Sequence, residues 1–141
     1  MGKGTTYWFT IILLAALCVV GLYFDFSYST SDEEERPPLS LHFSWASIPA
    51  CSSISPAFEL GGVPADTTRL NFMMTDLNMP TFHHGGSTVA YTGNVVSRGA
   101  VNYTGPCPPH GERHNYRWTV EAPDASGKVL GKGTAVEMFP P

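Results

Sequence analysis

Tyr103-Thr104-Gly105-Pro106-Cys107-Pro108-Pro109-His110-Gly111-Glu112-Arg113-His114-Asn115-Tyr116-Arg117-Trp118-Thr119-Val120-Glu121-Ala122 is a loop running straight into a strand. From Tyr103 to Tyr116 glycine and proline fall too densely for the interior of a helix or strand. From Tyr116 to Ala122 aromatic and β-branched residues alternate with charged ones, as a half-buried strand requires. A loop of this kind costs stability unless it positions something, and this one carries two histidines, a cysteine and two tyrosines. We read it as one wall of a small pocket at the end of a sheet.

The flanking chain supplies more strands. Downstream, Asp124-Ala125-Ser126-Gly127 turns into Lys128–Gly131, and a last strand is predicted over Thr134–Phe139. Upstream, Val89–Val96 reads as a strand or a hairpin turning at Gly93-Asn94. Arg69–Asp76 has an apolar centre consistent with burial on both faces, which places Met73 in the core. Cys51–Pro64 reads as loop, short strand and turn. Leu39–Trp45 alternates apolar and polar residues, with His42 on the polar, exposed side. No helical period appears in this part of the chain, so these short strands predict an all-β domain, a β-sandwich or a close variant.

Composition bounds the rest. The chain has 141 residues, 43% hydrophobic and 14% charged, enough for one core. A net charge of -4 with only 8 Lys and Arg excludes the basic footprint of a nucleic-acid binder. The 14 glycines and 12 prolines follow no short period and read as turn residues.

The N-terminal part differs in kind. Residues 7–24, YWFTIILLAALCVVGLYF, form an apolar run that as a helix nearly spans a bilayer, with Tyr7, Trp8 and Tyr23 near its ends. Lys3 before it and the acidic run Asp32–Glu35 after it leave residues 1–6 in the cytoplasm. Residues 25–38, acidic and ending in Pro37-Pro38, read as a linker. The domain over 39–141 then lies outside the membrane, periplasmic or at the cell surface. An uncleaved signal anchor fits better than a cleaved signal peptide, because the apolar run exceeds the usual length of a signal core. A buried core helix fits least, and lipidation at Cys18 would require Leu17 in a position that favours small residues.

Polar groups able to hold a ligand gather in three loops: Asp76 and Asn78, then His83 and His84, then His110, His114 and Tyr116. Together with the Ser-Pro segment of Cys51–Pro64, these stretches resemble the phosphatidylethanolamine-binding protein family, in particular its bacterial Raf-kinase-inhibitor-like branch. The resemblance runs from about Leu39 onward. It implies a sandwich of two antiparallel sheets with a small anion pocket at one end. Asp76 matches the first acid of the family's Asp-Pro-Asp-x-Pro motif and Pro80 its closing proline. His84, with His83 beside it, matches the pocket histidine that follows an aromatic residue. Gly105 and Pro106 match a glycine-proline wall, and His114 and Tyr116 match the histidine and tyrosine of the last motif. Asn78 and Asn115 depart from the pattern, replacing an acid and an arginine.

The expected function is that of a membrane-tethered binding protein for phosphate or a phosphorylated headgroup, with a regulated protein partner as an extension of the same reading. No cofactor or metal is expected. Three rivals are set against it. His83, His84, His110 and His114 with Met73, Met74 and Met79 suit copper in an exported protein, although adjacent Met73 and Met74 point to opposite strand faces. An enzyme is disfavoured, since no G-x-S-x-G elbow appears and Cys107 sits between prolines. A structural partner-binding module is the third. With Cys18 in the membrane, Cys51 and Cys107 are the two cysteines of the exported domain, and a bridge between them is favoured over two free thiols.

Overall fold

The structure is a computed structural model, and it describes residues 38–140. The predicted membrane span at residues 7–24, the cytoplasmic end 1–6 and the linker up to residue 37 lie outside the described residues. Seven strands follow one another: β1 Ser40–Phe43, β2 Phe58–Gly61, β3 Arg69–Asp76, β4 Thr88–Ala90, β5 Val95–Val96, β6 His114–Pro123 and β7 Val129–Phe139. No helix occurs among the described residues, and hence none there is long and apolar enough to cross a membrane. Two sheets form, one in the order β1-β2-β5 and one in the order β4-β3-β6-β7, with every pairing antiparallel. This is the two-sheet, all-β architecture expected from the sequence.

Period-two patterning builds the core between the sheets. Along β3, Leu70, Phe72 and Met74 point inward, and along β6 Tyr116, Trp118 and Val120 do the same. From the smaller sheet Phe58 reaches across, its ring centroid 4.6 Å from Phe72 and 5.0 Å from Trp118, the latter edge-on. Leu41, Leu60 and Val96 fill in around it. Just after β1, Trp45 packs edge-on against Tyr116 and Phe139, which closes the core toward the end where β3 finishes and β6 begins.

Three expectations are corrected. Met73 is 52% exposed on the outer face of the larger sheet, so β3 is buried on one face only, and Met74 alone of the pair is core. Val89–Val96 is not a hairpin. β4 pairs with β3 in one sheet and β5 with β2 in the other, so the chain crosses the sandwich at Gly93-Asn94. The Asn94 carbonyl accepts from the Leu60 N–H as it arrives. The two segments after the Asp124–Gly127 turn join as one strand, β7. Its Gly133 lies directly beneath the Leu39 carbonyl, where any Cβ would collide, and this lets the chain entering β1 fold tightly over the larger sheet.

Candidate functional site

The register of β3 with β6 sets Asp76 opposite Tyr116, the last residue of one strand facing a residue near the start of the other. His114 lies two residues before Tyr116 and shares its face, so the inward row of β6 continues from Trp118 through Tyr116 to His114. The apolar core therefore passes into a polar cluster at this end of the sandwich. Asp76, His84 and His114 are each about 95% buried, at 4%, 4% and 6% exposure, and Tyr116 is fully buried. They line a cavity of about 410 Å³ whose other walls come from Met79, Phe82, the Thr104-Gly105 backbone and the two half-cystines.

Each polar group has a fixed role. Asp76 Oδ1 accepts from the backbone N–H groups of Asn78 and Met79 at 2.8 and 3.0 Å, which shapes the turn leaving β3. Its Oδ2 lies 2.7 Å from His114 Nδ1, so that nitrogen donates. His84 Nδ1 is 2.7 Å from the Thr104 carbonyl, which can only accept, so Nδ1 carries hydrogen. The Thr104 N–H returns a 2.7 Å bond to the His84 carbonyl, locking the two loops together. His84 Nε2 is thereby turned toward Asp76 Oδ2, 4.0 Å away. His114 Nε2 is 3.4 Å from the exposed carboxylate of Glu112.

These contacts shift the protonation of the cluster. Burial pushes the Asp76 carboxyl up, but the hydrogen bonds from His114, Asn78 and Met79 outweigh it and hold the group below its ordinary 3.8. Asp76 raises His114 above 6.5 through their hydrogen bond; burial works against this and Glu112 adds to it. Burial, reinforced by the Asp76 charge, raises Tyr116 well above the ordinary phenol, so it stays a hydrogen-bond donor at neutral pH. The stability that His114 contributes is complete below 6.5 and is lost as pH rises through its raised value, while that from Asp76 is complete above 3.8 and is lost as pH falls through its lowered one. The melting temperature should thus be highest between those limits and fall on the alkaline side. Thermal melts across pH should show a shallower alkaline fall in His114→Gln; parallel curves for the two proteins would refute the coupling.

The loop wall is held from behind. Cys51 and Cys107 form a disulfide with Cα atoms 4.5 Å apart. Beside it the Cys51 N–H donates to the Pro106 carbonyl at 2.8 Å. Gly105 presses on the Ser52 carbonyl so closely that a Cβ would overlap it. The glycine is needed because the Ser-Pro segment lies against the pocket loop there, main chain to main chain.

Of the residues singled out in the sequence, Asp76, His84, Gly105, His114 and Tyr116 line the cavity, and Pro106 is buried just behind it. Pro80 and His83 are exposed and lie outside the lining. Adjacent side chains project in opposite directions, and it is His84 that turns inward while the His83 backbone bridges to Thr75. His110 is exposed as well. The departures at 78 and 115 are neighbours: Asn78 Oδ1 accepts from the Asn115 backbone N–H at 2.8 Å. Reasoning from sequence did not count Phe82 among the site residues; its ring lies tilted against His84 with centroids 4.6 Å apart, and its place before the histidine pair was the available signal. It also missed the Thr104 carbonyl, a main-chain contact that side-chain identity does not announce. Among the described residues no three His, Cys, Asp or Glu side chains group as ligands of one ion.

No protein-family model and no curated protein matches the chain. Solved structures do. YbcL from E. coli, described as a new member of the mammalian phosphatidylethanolamine-binding protein family, aligns over 62% of this chain and 80% of its own, with 15% identity and a TM-score of 0.49. A candidate phosphatidylethanolamine-binding protein homolog, CT736 from Chlamydia trachomatis, aligns over 74% of this chain and 98% of its own, with 17% identity and a TM-score of 0.58. The likeness to the chlamydial protein runs through nearly the whole of that structure, so the described domain has the fold of a phosphatidylethanolamine-binding-type β-sandwich.

Proposed function

We propose that this chain is a membrane-tethered, extracytoplasmic binding protein, not an enzyme, whose pocket holds a small anion of the phosphate or phosphorylated-headgroup class. The observation that carries this is the convergence of Asp76, His84, His114 and Tyr116, from three separate stretches of chain, on one buried-walled cavity. An apolar domain end would not retain four polar side chains unless they served a ligand or each other, and His114 Nε2, whose contact is the exposed Glu112, and the Tyr116 hydroxyl, which leans on Asp76, are the donors a ligand would engage. Glu112, which meets His114 Nε2, is exposed and free to turn aside. The name carried by the similar chlamydial structure supports the ligand class.

The disulfide supports an exported domain, since such bridges persist in oxidising compartments. It also leaves Cys107 without a thiolate for catalysis. The apolar run at residues 7–24 supports the tether. Extraction of cell membranes at alkaline pH should leave the chain in the pellet, and its release would refute an anchor.

Binding of an anion calls on the charge of His114, which Asp76 holds protonated to a higher pH than an ordinary imidazole. Affinity for phosphate should accordingly rise by about 10-fold from pH 8 to pH 6. Isothermal titration calorimetry of the full chain in detergent checks this; an affinity that does not change over that range would count against the reading. Exposed Leu77, Met79 and Phe82 at 41%, 47% and 47% stand beside the pocket and favour a protein partner covering its mouth as a second reading. Photo-crosslinking from Phe82 in cells should then trap one protein, and an absence of any adduct would argue against that partner.

A further inference from the structure

Strand β7 is 11 residues long and has a neighbour on one side only. Its far side is a sheet edge, and the register shows which main-chain groups that edge presents. The Asn115 carbonyl accepts from the Leu77 N–H, so the main chain of Asn115 faces β3, and that of His114, Tyr116, Trp118 and Val120 faces β7. Their partners on β7 are Phe139, Glu137, Ala135 and Gly133. The alternate residues Lys132, Thr134, Val136 and Met138 therefore turn their N–H and C=O groups away from β6, and among the described residues nothing pairs with them.

Proteins ordinarily blunt such an edge with a bulge, a proline or a short strand. Here the one irregularity against β6 lies at Ala122/Pro123, so the pairing of residues 131–139 is unbroken, and no proline occurs before Pro140. Lys132, Thr134, Val136 and Met138 all have exposed side chains, and two of them are apolar, at 48% and 42% exposure. Leu39 does not fill the edge, since it passes under the inner face of β7 at Gly133.

The four outward residues are placed symmetrically about Ala135. A second β7 laid antiparallel across a two-fold axis at Ala135 sets Thr134 opposite Val136 and Lys132 opposite Met138, and every outward N–H then meets a C=O. Val136 and Met138 gain cover from the facing Thr134 and the stem of Lys132. Ala135 meets its own copy at the axis, the closest approach in such a ladder, where a small side chain fits. The chain enters the domain beside Gly133, two residues from the axis, so the two entry points lie together as two chains held in one membrane require.

We propose that the edge of β7 is the interface for a second copy of this chain, the two strands pairing antiparallel about Ala135 to make one continuous eight-stranded sheet. The proposal is independent of what the cavity binds.

The test uses the full chain in detergent with Cys18→Ser, so that an added thiol is the only free one. Ala135→Cys brings two Cα atoms about 4.5 Å apart at the axis, within the range of about 4.4–6.8 Å that a disulfide spans. Mild oxidation should convert most of it to a covalent dimer. Thr119→Cys lies on β6, three strand spacings or about 14 Å from its copy, and should give none. Sedimentation equilibrium of the chain without an added cysteine should show twice the mass of one chain. Val136→Pro removes an outward N–H while leaving the bonds to β6, and should weaken the dimer at least about 10-fold. Should that variant fail to fold, Val136→Lys, which adds a charge to the edge, should weaken it likewise. A chain that stays monomeric would overturn the proposal and leave the edge to a strand of some other protein. A dimer that keeps its affinity in both Val136 variants, or that crosslinks through Thr119→Cys as readily as through Ala135→Cys, would overturn it too, because the copies would then meet elsewhere.

Discussion

Asp76→Ala should cost the domain about 3–5 kcal/mol, enough to unfold much of it if its stability lies at the low end of the common range of about 5–15 kcal/mol. One side chain serves three donors: the Asn78 and Met79 N–H groups on Oδ1 and the His114 imidazole on Oδ2. Alanine leaves all three unpaired where water has little access, and it strands a histidine that is 6% exposed. The turn leaving β3 also loses the contacts that shape it, so Met79 and Phe82 should no longer face the cavity. Chemical denaturation followed by the fluorescence of buried Trp45 and Trp118 measures the loss. Asp76→Asn, which retains an oxygen at the Oδ1 position, should lose about 1–3 kcal/mol. A loss below about 1 kcal/mol in the alanine variant would mean that the cluster is not the structural keystone described here.

Removing the disulfide ranks beside it. Cys51 and Cys107 are separated by 56 residues, and a closed loop of that length restrains the unfolded chain by about 4 kcal/mol in the loop-entropy model. Replacing both cysteines by serine should shift the denaturation midpoint accordingly. The bridge also backs the pocket wall, through the Cys51 N–H bond to Pro106 and the contact of Gly105 with Ser52. Phosphate affinity should fall together with stability, because the Thr104 carbonyl that sets the His84 tautomer belongs to the same wall. A double-serine variant with an unchanged midpoint would contradict the stapling role.

Side-chain periodicity carried most of the fold. The alternation in Tyr116–Ala122 and the motif pattern that follows β3 were legible because period two and turn chemistry are local properties. What lies between was less so. Met73-Met74 reads as two buried residues, since a methionine suits a core equally well at either position, and only the open outer face of the larger sheet separates them. Gly93-Asn94 has the residues of a hairpin turn, but whether the chain returns to the same sheet or crosses to the other depends on β2 and its Leu60 N–H, distant in sequence. Residue type alone gave Asp76, His83, His84, His110, His114 and Tyr116 equal standing, the family resemblance set His110 aside, and His83 and His84 are equivalent until backbone direction turns one of them inward. The pairing of Cys51 with Cys107 followed from counting. That the bridge forms part of the cavity wall did not, since this is set by how the Ser-Pro segment docks on Gly105.

Entry of an anion into the cavity between Asp76, His84, His114 and Tyr116 is the proposal on which the reading of function depends. Its most direct test is a phosphate titration of the full chain at pH 6, followed through the imidazole ¹⁵N resonances of all five histidines. Saturable shifts are expected at His84 and His114, with His42 and His110, both exposed and outside the lining, unmoved. Resonances of His84 and His114 that stay fixed to saturating phosphate, or that drift in step with those of His42 and His110, would contradict it.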